Sequence, residues 1–182
     1  MYKDYEYWYK ENQNLIDHLA KHNSVIYERF SDIFVVLNYI KDLEPKKIDV
    51  DLEVIFDEGF AYIYDRINFI KEFINNNFIG DIHAFLKYEP LFSYYLFLDD
   101  VIDIYKREEM DLGTIKEAFD NMQNKIMQLI NTRSNYGKEE IEEFETIVSS
   151  LLPSNKEIIT VPEIFNRINV EIIIKKGQEG IE

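Results

Sequence analysis

The sequence predicts an all-α protein, a compact bundle of five to seven helices with a short β segment at the C-terminus as its only departure. Three observations carry that expectation. Apolar residues recur at helical spacing through most of the first 152 positions. The 182 residues include only 6 Gly and 4 Pro, too few for a sandwich of short strands and tight turns. Hydrophobic side chains make up 46%, with 13 Tyr and 13 Phe, enough for a packed core. We therefore expect a helical domain over 1–152 with a C-terminal segment, 153–182, packed on it as short strands or helix.

The elements follow in order. Tyr5, Asn12, Leu19, Ile26, Ile33 and Ile40 fall at seven-residue spacing, and Tyr9, Ile16, Asn23, Phe30 and Leu37 form a companion row. Two such rows make the seam of packed helices. Weak helix formers in Lys21-His22-Asn23-Ser24, with Ser24 able to cap, favour a break within 20–24. Glu44-Pro45 ends this unit, because the residue before proline is pushed out of the helical region. Asp51 is expected to cap a third helix that places Leu52, Ile55, Phe56, Phe60, Ile63, Ile67, Ile70 and Ile74 on one face. Gly80 is placed to close it and Asp81 to cap the next. Pro90 suits the first turn of a fresh helix. Its apolar stretch, Leu91 to Leu98, marks it as the most buried.

Thr114-Ile115-Lys116-Glu117 spells a capping box, followed by Phe119, Met122, Ile126 and Leu129 at helical spacing. Gly137 separates a last helix, Glu139 to Leu152, stopped by Pro153. The β-branched runs Glu157–Val161 and Val170–Ile174 read as strands around a helical turn, although Thr160-Val161-Pro162-Glu163 is equally a helix start.

Familiar chemistry is largely excluded. Without cysteine there is no disulfide, thiol nucleophile, Cys-ligated zinc or Fe–S cluster. Gly59, Gly80, Gly113 and Gly137 stand isolated, so no phosphate-cradling loop is spelled, and no serine sits in a GxSxG setting. The N-terminus carries acids where a signal peptide needs an apolar stretch, and Leu91–Leu98 is far short of the ~20 residues that span a bilayer. A cytoplasmic protein, off the membrane, is the expectation.

Two patterns are candidates for metal ligation. His18 and His22 stand at i, i+4, but Leu19 occupies the place where a zinc protease helix carries Glu, and a polar helix face explains both. Asp99, Asp100 and Asp103 share one helix edge, where like charges repel unless a cation answers them. Their spelling is similar to the DDxxD motif of isoprenyl diphosphate synthases, and the resemblance implies carboxylates holding Mg²⁺ against a diphosphate. It covers five residues of 182 and no second Asp-rich motif follows. Lys106 and Arg107 supply a structural answer as local partners. The expectation is no metal and no cofactor.

What remains is charge and surface. Thirty-five acidic side chains against 20 basic give −15, which repels nucleic acid and anionic membranes and steers basic partners in. Glu139, Glu140, Glu142, Glu143 and Glu145 crowd a helix start, where the dipole favours negative charge and a docking patch for Lys and Arg results. The N-terminal aromatics spread around more than one helical face, so Tyr5 and Trp8 are candidate exposed anchors, with the alternative that they cover a neighbouring helix. The functional expectation is a non-enzymatic inhibitor, immunity or anti-defence protein that engages a basic, nucleic-acid-handling protein. Two alternatives stand beside it: a metal-dependent enzyme built on Asp99, Asp100 and Asp103, and a structural subunit self-associating, as a homodimer, through its N-terminal helices.

Overall fold

The computed structural model describes residues 2–21 and 25–152. Among them lie seven α-helices: α1 (Tyr2–Lys21), α2 (Val25–Lys41), α3 (Val50–Phe78), α4 (Ile82–Leu86), α5 (Glu89–Arg107), α6 (Gly113–Asn131) and α7 (Lys138–Leu151). A single 3₁₀ turn, Pro45–Lys47, joins α2 to α3. The expected strands at 157–161 and 170–174, and the Pro153 stop, lie outside the described residues. The described residues divide into two compact units, the first within Met1–Phe73 and the second within Ile74–Thr160, and the border falls inside α3.

In the first unit α1 packs on α2, and both heptad rows serve the unit's own core. Tyr5, Ile16, Leu19, Ile26, Phe30, Ile33, Leu37 and Ile40 are buried. Asn12 falls on the same seam and is buried as well. Its carboxamide donates to the Trp8 carbonyl at 2.9 Å and accepts from Lys71 Nζ at 3.3 Å, so both ends of the amide are satisfied. The aromatics of α1 meet those of α3: Tyr5 lies edge-on to Phe56 and Phe60, with ring centroids 5.5 and 5.3 Å apart. The Tyr5 hydroxyl reaches Asn38 of α2 at 2.8 Å. One side chain thus ties three helices together.

In the second unit α5 is the central element, with α4, α6 and α7 packed around it. Between Leu91 and Leu98 every side chain except that of Tyr94 is buried, as the all-round apolar pattern predicts. Tyr95 stacks on Phe119 of α6 with centroids 4.2 Å apart, and the Tyr105 hydroxyl donates to the carbonyl of Leu151 at the end of α7.

Helix ends show where local signals hold and where they mislead. Asp81 caps α4 by accepting from Ala84 N–H, Pro90 sits in the first turn of α5, and Gly80 closes α3 with a φ of +78°. The cap of α3, by contrast, is Asp49, whose Oδ1 accepts from Leu52 N–H at 2.9 Å. Asp51 lies one residue inside the helix, where its acid still complements the dipole. The expected capping box at Thr114 is likewise displaced. α6 opens at Gly113, whose N–H is taken by Asp111 Oδ1 at 3.1 Å, so Thr114 is already helical and its hydroxyl caps nothing. In the region of the expected break, α1 ends at Lys21 and α2 begins at Val25, with 22–24 outside the described residues.

Candidate functional site

Two surfaces carry chemistry, and the first is α7. Phe144 and Val148 are buried against the second unit, with Ile141, Ile147 and Leu151 half-buried beside them. Helical spacing then throws Glu139, Glu142, Glu143 and Glu145 to the opposite, exposed side. Glu140 does a different job. Its carboxylate reaches back to accept the Gly137 N–H at 2.8 Å, which is the carboxylate half of a capping box. Backbone N–H groups at this helix start hold the Glu140 carboxyl below the usual carboxylate range. Lys138 lies 3.7 Å from Glu142, an exposed i, i+4 pair. The acid edge therefore offers Glu139, Glu143 and Glu145, with Glu142 shared and Glu140 committed to the cap.

The aromatic anchors are corrected by burial. Tyr5 is 0% and Trp8 5% exposed, because Phe56, Phe60 and Tyr64 of α3 cover the face of α1 that carries them. Tyr7, at 67%, is the aromatic of this group that faces solvent.

The three aspartates of α5 are split by their environments: Asp100 is buried, Asp99 half-buried and Asp103 exposed. Asp99 lies close enough to Tyr95 to help burial push that phenol upward, together with Asp120 of α6. Among the described residues no group of three or more His, Asp or Glu side chains gathers as a metal site. His18 bonds through Nδ1 to the Asn14 carbonyl at 2.7 Å, His83 is exposed, and His22 lies outside the described residues.

The second surface was not visible in the sequence. A cleft of about 510 Å³ opens in the second unit where the end of α3, the α4–α5 corner and the end of α6 converge. Asn77, Phe78, Ala84, Lys87, Tyr88, Ile130, Asn131 and Arg133 line it. The corner is pinned from α7's side: the Tyr136 hydroxyl donates to the Lys87 carbonyl, and its ring lies 6.0 Å from that of Tyr88. Burial, then Glu89 and Tyr88, push the Tyr136 phenol up to about 12. Lys87 Nζ sits 5.6 Å from the Tyr88 ring centroid, a cation–π geometry. Among the described residues neither Lys87 nor Arg133 has a carboxylate partner. These residues come from three separated segments, so no spacing rule could join them. No family model matches the chain, and neither the curated proteins nor the solved structures give a significant match.

Proposed function

We propose that the protein acts without catalysis, as an acidic binding protein of the inhibitor, immunity or anti-defence type. Its negative surface would occupy a basic, nucleic-acid-handling surface of a protein target. The observation that carries this reading is the edge of α7, where Glu139, Glu142, Glu143 and Glu145 stand exposed on a helix anchored by Phe144 and Val148. A protein that handles nucleic acid lines its track with Lys and Arg at phosphate positions. A row of carboxylates on one helix complements such a track, and the overall charge of −15 speeds encounter with it.

The test is affinity capture from the native host, followed by kinetics with the captured protein. A basic, nucleic-acid-handling partner is expected, with an association rate that drops as salt rises and drops again in the Glu139→Gln, Glu140→Gln, Glu142→Gln, Glu143→Gln variant. Gln retains shape and most helix propensity, and at 140 it can still accept the Gly137 N–H. Binding that ignores both salt and the four substitutions would end the electrostatic reading.

A further inference from the structure

We propose that the cleft of the second unit binds a small organic phosphate, with Arg133 and Lys87 taking the phosphoryl oxygens. The inference uses no residue of α7 and stands apart from the partner-binding reading. Its first support is charge. Lys87 and Arg133 line one cleft and, among the described residues, neither has a carboxylate partner, so their positive charge is not answered from within the cleft. A guanidinium fork and a point-like ammonium together match a dianion, whereas a single carboxylate would leave one of them unanswered.

The second support is size and lining. A volume of about 510 Å³ lies within the range of small-molecule sites, roughly 300–1,000 Å³, and is too large for an inorganic ion alone. The remainder of the ligand meets the Phe78 and Tyr88 rings and the carboxamides of Asn77 and Asn131, a mixture of apolar surface and hydrogen-bonding groups.

The third is how the cations are held. Arg133 closes α6 with a φ of +52°, its N–H on the Ile130 carbonyl and the next N–H, of Ser134, on that of Leu129. A glycine would do this without strain, yet a long cation stands there. The Lys87 backbone is held by the Tyr136 bond to its carbonyl, and its ammonium lies over the Tyr88 ring. The net negative charge of the protein does not forbid an anion here, since distant charges are screened beyond ~8 Å at physiological salt and the two cations act at contact.

Calorimetric titration of the full chain with ADP, and separately with inorganic pyrophosphate, tests this. ADP should bind saturably at one site. Lys87→Gln and Arg133→Gln should each weaken it about tenfold or more, the loss expected for one charge-assisted hydrogen bond. Lys10→Gln, on an exposed face of α1, should bind as the parent does. Both cleft cations are exposed, so the variants should keep the parent's circular dichroism. The proposal fails if ADP does not bind at millimolar concentration or if the double variant binds unchanged. It fails too if Lys10→Gln loses as much, or if only pyrophosphate binds, which would leave the organic part without a place.

Discussion

Among the described residues Ile79, Glu109 and Arg133 hold a left-handed backbone, with φ of 52°, 55° and 52°, each just past a helix end. At Glu109 the turn is closed by Met110 N–H on the Tyr105 carbonyl at 2.9 Å, so the geometry is what a C-terminal glycine normally supplies. Relief of left-handed strain is worth roughly 1–2 kcal/mol, offset by about 0.4–1 kcal/mol of extra chain entropy in the unfolded state. Glu109→Gly should therefore raise stability by about 0.5 kcal/mol in chemical denaturation. The ends at Glu109 and Arg133 were illegible beforehand because the glycine that signals such an end is missing there, whereas Gly80, next to Ile79, marked the end of α3. The cap of α3 was misplaced for a related reason: Asp49 and Asp51 both qualify by type, and only the register of the first turn separates them. Asp49→Ala should cost about 1 kcal/mol, and Asp51→Ala less than half of that.

Tyrosine ionisation is a second matter of single residues. Burial raises the phenols of Tyr5, Tyr95 and Tyr136 above the ordinary value near 10, that of Tyr136 to about 12. A raised folded-state pKa stabilises fully below the unfolded value and loses that contribution as pH climbs through the folded one. Stability should accordingly hold up to about pH 10 and decline between about 10 and 12. Ultraviolet titration of tyrosinate checks this: these three phenols should ionise late, together with loss of helix. Thirteen tyrosines titrating as one group near 10, with the fold intact, would contradict it.

Helices were legible in proportion to how one-sided, or how wholly apolar, they are. α5 was readable because Leu91 to Leu98 leaves no polar face, and α7 because its acids and its Phe144, Val148 stripe separate cleanly. α1 was harder. Its aromatics occupy several faces, and an extended α3 alone decides that Tyr5 and Trp8 lie inside while Tyr7 lies outside. The cleft was beyond reach, since Lys87, Asn131 and Arg133 meet only once α4, α5 and α6 have packed. Phe92 touches Phe85 of α4 with centroids 5.2 Å apart and is fully enclosed, so Phe92→Ala should cost about 3–5 kcal/mol. Tyr94→Ala, at the one half-exposed position of the stretch, should cost far less; denaturant midpoints compare the two.

At the scale of the molecule, charge is the dominant property. No helix among the described residues is long and apolar enough to cross a membrane. The carboxylates of α7 are arranged by the same helical period that buries its apolar stripe, so folding itself presents the acid edge. A preformed helical face matters because it gives up little backbone freedom on binding. The most direct measurement is the association rate of the captured host protein with the parent chain and with the four-fold Gln variant at low and raised salt. The account predicts a basic partner whose association slows several-fold as screening sets in over ~10 Å at 0.1 M salt, with the variant already slow at low salt. A partner that is not basic, or one that associates equally fast in all four conditions, would contradict it.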